Sequence, residues 1–195
     1  TCLGRIFDLT GDQDLLDEAI ASHREALRLT PKDSPNRATV LGQLASGLTD
    51  AYMSKGDAAD LTTAAALGRE AAQLIRDDGT HSGVTLNTIG NTLYLLHGLT
   101  GEQAYLWDSL DLARRSVNVT SIHDPNYSTH ISNLANVLAR LSDASGRATL
   151  FEAIDAARAA LEYAPTNSPL LGQYESNLAG ILMTAQERDK GDHFL

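Results

Sequence analysis

The sequence predicts an all-α fold, an α-solenoid of stacked antiparallel helical hairpins with a 45-residue period. Three observations carry that prediction. Glycines recur at 11, 56, 101, 146 and 191, and every interval is 45 residues. Each sits in a short turn: Thr10-Gly11-Asp12, Lys55-Gly56-Asp57, Thr100-Gly101-Glu102, Ser145-Gly146-Arg147 and Lys190-Gly191-Asp192. Between consecutive turns the same two apolar patterns return, both with the spacings of three, four and seven that mark an amphipathic helix. Composition agrees. Hydrophobic residues make up 43% of the chain but aromatics only 5%, which favours helices meeting through small side chains over a β-sandwich.

We call the helix that ends at each glycine turn the A helix and the one that follows the turn the B helix. Residues 1–9 read as the closing turns of an A helix. The first B stripe is Leu16-Ala19-Ile20-Ala26-Leu27, and it returns as Leu61-Ala64-Ala65-Ala71-Ala72 and Leu106-Ser109-Leu110-Ser116-Val117. The fourth copy, Leu150-Ala153-Ile154-Ala160-Leu161, has slipped by one position, consistent with one residue fewer after Gly146. The A stripes are Leu41-Leu44-Ala45-Leu48, Leu86-Ile89-Gly90-Leu93, Ile131-Leu134-Ala135-Leu138 and Leu178-Ala179-Leu182. Breaker segments separate each B helix from the next A helix: Pro31-Lys32-Asp33-Ser34-Pro35, Asp77-Asp78-Gly79-Thr80, His123-Asp124-Pro125 and Pro165-Thr166-Asn167-Ser168-Pro169. Proline shortly after a helix end, and Ser or Asp before a helix-opening Pro, are ordinary stop and start signals.

One hairpin cannot bury its apolar stripe alone, so each repeat completes the core of the next. Residues 1–195 therefore read as a single array. It comprises the end of a truncated hairpin (1–10), four repeats at about 11–55, 56–100, 101–145 and 146–190, and the start of another hairpin (191–195). Solenoids need polar capping helices, and neither end carries one. The expectation is an excerpt of a longer array, with end-to-end self-association open to its uncapped termini.

The repeat signature resembles tetratricopeptide (TPR) repeats: Leu-x-x-Leu-Ala-x-x-Leu in one helix, a Gly-Asp turn, Ala-Ile and Ala-Leu in the next, then Pro. The run from Thr10-Gly11-Asp12 through Leu16, Ala19-Ile20 and Ala26-Leu27 to Pro31, with Ser34-Pro35-Asn36-Arg37-Ala38, is similar to TPR-like arrays of fungal and bacterial proteins that often carry a CHAT protease-like domain. Ser176-Asn177-Leu178-Ala179 is similar to kinesin light chain repeats. The resemblance spans the chain and is strongest in the first repeat; the second has Ala at 65 and 72 where the others are larger. The usual TPR period is 34 residues. The excess of 11 is about three turns at ~3.6 residues each, which keeps the stripes in phase. Armadillo and HEAT arrays also have periods near 45, but the paired Ala signature and the Gly-Asp turn favour a TPR-like superhelix.

The resemblance implies a function and a place for it. In TPR arrays the A helices line a concave groove that holds a peptide or protein segment. Transferred to this chain, the groove takes Asn87, Asn91 and Tyr94 from the second A helix and Ser132, Asn133, Asn136 and Arg140 from the third. Gln173 and Asn177 come from the fourth. Asn is an indifferent helix former, so several Asn in mid-helix call for an explanation. One carboxamide offers donors and an acceptor, and a row of them can hold the backbone of an extended peptide. The competing explanation is that these Asn bridge neighbouring helices. Tyr and Arg are the residue types that anchor interfaces. A further regularity is Arg24, Arg69, Arg114 and Arg158, one per B helix, which reads as a repeated ion pair between hairpins.

Several function classes are disfavoured. The chain has 15 Lys+Arg against 25 Asp+Glu, a formal charge of −10, which argues against nucleic acid as a partner. Apolar runs fall short of the ~20 residues of a membrane span. Cys2 is the only cysteine, so neither an internal disulfide nor a Cys-based zinc site can form, and a reducing cytoplasmic setting is expected. His-Glu-x-x-His, Gly-x-Ser-x-Gly and phosphate-loop motifs are lacking, and His123 and His130 find no obvious third metal ligand. The chain thus reads as a non-enzymatic scaffold for a protein or peptide partner, with no cofactor and no metal. The alternative is the sensor region of a larger enzyme such as a CHAT-type cysteine protease, its catalytic residues lying outside these residues.

Overall fold

The computed structural model describes residues 13–76 and 82–192. Eight consecutive helices and no strand are found among the described residues: α1 (Gln13–Leu29), α2 (Arg37–Lys55), α3 (Ala58–Leu74), α4 (Ser82–Thr100), α5 (Gln103–Val119), α6 (Tyr127–Ser145), α7 (Arg147–Glu162) and α8 (Leu171–Asp192). Odd-numbered helices are the B helices of the sequence and even-numbered ones the A helices. The chain forms two compact units, Thr1–Ser109 and Leu110–Leu195, with the division inside α5.

The glycine period has a conformational cause. Gly56 ends α2 at φ 75, ψ 12, and its N–H donates to the Tyr52 carbonyl at 2.7 Å. Gly101 (φ 74) donates likewise to His97 at 2.8 Å, and Gly146 (φ 85) to Ser142 at 2.9 Å. A side chain is strained at such φ values, so glycine is the residue that stops the A helix and frees the chain to reverse. The next residue starts the B helix: the Asp57 carboxylate accepts from the Ala59 N–H at 2.9 Å, capping α3. Gly11 lies outside the described residues. Gly191, expected to open a fifth turn, instead lies within α8; glycine permits a left-handed stop but does not compel one.

Packing follows the predicted stripes. In the first unit, Leu16 and Ile20 of α1, Leu44, Ala45, Leu48 and Ala51 of α2, and Ala64 of α3 form one buried cluster. Three consecutive helices thus share a core. Leu41, Leu61, Leu86, Ile89 and Leu93 extend the fully buried set. Small residues bring the A helices together: a Cβ on Gly42 of α2 would fall 2.5 Å from the Thr85 Cγ2 of α4. A buried hydrogen bond between the hydroxyls of Thr49 and Thr92, 2.9 Å long, joins the same two helices. Ser109 of α5 donates to the Gly90 carbonyl of α4 at 2.7 Å. In the second unit, Leu134, Ala135, Leu138 and Leu141 of α6 and Leu150, Ala153, Ile154 and Ala157 of α7 are buried.

Ion pairs lace the exposed rims. Arg69 of α3 bonds to Asp108 of α5 while lying 4.7 Å from the centre of the Tyr105 ring. Arg114 of α5 bonds to Glu152 of α7 at 2.8 Å. Two of the four recurring arginines therefore make the interhairpin contact their spacing predicts. At the position that would serve Arg24 stands Thr63, which carries no charge.

Candidate functional site

The candidate site is the set of A-helix side chains turned away from the core, taken one unit at a time. In the first unit α4 presents Val84, Asn91 and Gly98 to solvent at spacings of seven, flanked by half-buried Asn87, Thr88, Tyr94 and Leu95. The neighbouring A helix, α2, contributes exposed Thr39 and Gln43 and half-buried Ser46 and Asp50. In the second unit α6 places Thr129, Asn133 and Asn136 half-buried and Arg140 exposed, and α8 exposes Gln173, Ser176 and Gly180. The rotation of each A helix is fixed by its opposite face, where Leu86, Ile89 and Leu93 of α4 and Leu134, Ala135 and Leu138 of α6 are buried.

The expected site residues divide into two groups. Asn177 donates its side-chain N–H to the Ser132 hydroxyl at 3.0 Å, tying α8 to α6, and Ser132 is buried. This pair bridges neighbouring A helices and is not presented outward. Thr129 and Tyr174 repeat the device at 2.8 Å. Asn87 and Asn133 are half-buried and engaged in interactions of their own. By contrast, the side chains of Asn91, Tyr94, Asn136, Arg140 and Gln173 hold no hydrogen-bond or ion-pair partner among the described residues. Asn91 and Asn136 occupy the same position of consecutive A helices, 45 residues apart.

Chemically these faces offer carboxamides, hydroxyls and one guanidinium. Among the described residues no three His, Cys, Asp or Glu side chains gather as a metal site. His23, His97 and His130 are buried, whereas His123 is exposed. His130 is buried in α6 with Nδ1 3.0 Å from the Thr120 hydroxyl, whose own hydrogen is directed to the Ser116 carbonyl. That network assigns the proton to Nδ1. Burial holds the His130 imidazole below its ordinary pKa, partly offset by Asp124. Burial likewise lowers that of His23 in α1. No described helix is long and apolar enough to cross a membrane. Two exposed aromatics that sequence reasoning passed over, Trp107 on α5 and Phe151 on α7, stand at equivalent B-helix positions next to buried Leu106 and Leu150. The signal was present in the sequence, since the same position is polar in the other two B helices, Asp17 and Thr62.

Helical hairpins, a glycine-stopped A helix and a core shared by consecutive helices define the fold as that of a TPR-like repeat protein. No family model matches the chain, and no curated protein matches its sequence. Among solved structures, it is similar to a kinesin light chain-type protein of Podospora anserina with nearly identical TPR-like repeats. The TM-score is 0.66 at 12% identity, covering 98% of this chain and 87% of that one. A variant of the same Podospora protein matches at the same TM-score and coverage with 14% identity. Identity this low shows a shared fold and nothing more specific.

Proposed function

We propose that the chain is a protein-interaction module that holds an extended peptide or protein segment on the outward faces of its A helices. TPR-like arrays commonly serve as protein-binding scaffolds, and the acidic, single-cysteine composition suits a protein partner in the cytoplasm rather than nucleic acid. The observation that carries the reading is the pair Asn91 and Asn136, whose carboxamides recur at one repeat position and have no partner among the described residues. Tyr94, Arg140 and Gln173 flank them in their respective units and supply an aromatic, a charge and a further carboxamide. Ser132 and Asn177 support this surface from beneath.

The test uses a peptide selected against the chain from a random display library. Asn91→Ala combined with Asn136→Ala removes two neutral hydrogen-bonding groups at about 0.5–1.5 kcal/mol each, so affinity falls about five- to 150-fold. Helicity and thermal midpoint do not fall, because neither side chain bonds within the described fold and Ala is the better helix former. Unchanged affinity for such peptides would remove the A-helix face from consideration.

A further inference from the structure

The B helices carry a second recurrence, on their exposed side. Trp107 of α5 and Phe151 of α7 each precede an aspartate by four residues, Asp111 and Asp155. The same two positions hold Asp17 and Ala21 in α1, and Thr62 and Ala66 in α3. Aromatic and carboxylate thus enter together, in consecutive B helices. Residues four apart share one helix face. All four are exposed: Trp107 by 51% and Phe151 by 57%, with the side chains of Asp111 and Asp155 at 71% and 78%. In the chain α5 has a B helix before it and another after it, so this exposure belongs to the repeat position.

What such a pair binds is shown inside the molecule. Tyr105 and Asp108 of α5 also stand one turn apart, and together they hold Arg69 of α3. The guanidinium carbon lies 4.7 Å from the centre of the Tyr105 ring, and Nη2 donates to the Asp108 carboxylate. An aromatic face attracts a cation, and a carboxylate orients it. Trp107 and Phe151 offer the same chemistry unoccupied: neither ring meets a cation or another ring among the described residues. Their aspartates have loose contacts within their own helices, Asp155 with Arg158 at 3.7 Å and Asp111 with Arg115 at 4.0 Å. Both distances exceed a hydrogen bond, and exposed pairs of this kind contribute little. An incoming guanidinium can displace them.

We propose that Phe151 with Asp155, and Trp107 with Asp111, are docking points for arginines of a basic partner segment, each point built within one helix. Charge agrees with that occupant. The chain carries a formal charge of −10, and the field of an acidic protein draws in cationic segments. Arginine fits better than lysine, because its planar guanidinium stacks on a ring and forks a carboxylate at the same time. Neither Asn91 nor Asn136 takes part, so this surface does not depend on peptide binding at the A helices.

Fluorescence anisotropy of two labelled probes with the intact chain tests it. One probe is a Gly-Ser peptide with regularly spaced arginines, and the other has lysines at the same places. The expected result is tighter binding of the arginine probe. Phe151→Ala and Trp107→Ala remove exposed rings without changing net charge, and each lowers affinity for that probe about two- to fivefold. Together they erase the preference for arginine. Asp155→Asn weakens binding by a similar factor. Asp33→Asn, the same charge change in an exposed connection, leaves it nearly unchanged. Asn91→Ala combined with Asn136→Ala has no effect; a loss there would move the probe to the A helices and overturn the proposal. So would an arginine probe that fails to bind, equal binding of the two probes, or an arginine preference that survives loss of both rings.

Discussion

The direct approach of consecutive A helices can be tested at Gly42. A methyl there would lie 2.5 Å from the Thr85 Cγ2 and 3.8 Å from its Cβ, so the conflict is with one methyl group and not with backbone. Two effects oppose each other. Alanine in a helix interior is favoured over glycine by about 0.5–1 kcal/mol. Overpacking a close contact costs about 1–3 kcal/mol, and the β-branched Thr85 is stiff at χ1 and yields poorly. Gly42→Ala should therefore destabilise by about 1–2 kcal/mol net. Thr85→Ser deletes the offending methyl and keeps the hydroxyl. In that background the clash is gone, and Gly42→Ala should stabilise by about 0.5–1 kcal/mol. The sign reverses, and the cycle gives a coupling of about 1.5–3 kcal/mol between residues 43 apart in sequence. Urea unfolding followed by far-ultraviolet circular dichroism reads all four stabilities. If Gly42→Ala changes stability equally in both backgrounds, α2 and α4 do not meet at this point and the packing described for the first unit is incorrect.

Two other predictions concern the turns and the core histidines. Gly56→Ala places a Cβ at φ 75 with nothing within 4 Å of it, so the cost is backbone strain alone, about 1–2 kcal/mol, read as a drop in urea midpoint at unchanged slope. Gly98→Ala, also free of neighbours but inside α4, is the control and should stabilise by about 0.5–1 kcal/mol. The second prediction is that stability falls with pH through the titration of His23 and His130. Burial lowers both below the ordinary value of 6.5, so the unfolded chain takes up protons first. Their contribution is fully present above the ordinary histidine pKa and is lost as pH falls from there towards the folded-state values, at no more than about 1.4 kcal/mol per pH unit for each. His130→Asn should flatten the pH profile of the urea midpoint just below pH 6.5; an unchanged slope would show that His130 does not titrate differently in the folded chain.

Much of the fold was legible because its punctuation is stereochemical. A glycine every 45 residues is what a positive-φ helix stop requires, and the apolar stripes between glycines can bury only if hairpins stack. The recurring arginine foretold Arg69–Asp108 and Arg114–Glu152. Partner identity was less visible, because it depends on a carboxylate 38 or 39 residues away. The candidate site was legible only in part. Asn136 and Asn177 look alike in sequence. Yet one carboxamide has no partner among the described residues, and the other is bonded to Ser132 across 45 residues. A helix rotation of one residue decides between those outcomes, and periodicity alone does not fix rotation that finely. Gly191 shows the reverse case: Lys190-Gly191-Asp192 repeats the letters of Lys55-Gly56-Asp57 but lies in a continuous helix.

The central functional claim rests on which carboxamides face a ligand. Side-chain amide resonances of a 15N-labelled chain, followed while a library-selected peptide is added, test it most directly. The account predicts shifts at the Asn91 and Asn136 side-chain amides, with the Asn177 amide, held by Ser132, little changed. Peptide binding that shifts B-helix resonances and leaves Asn91 and Asn136 in place would contradict it.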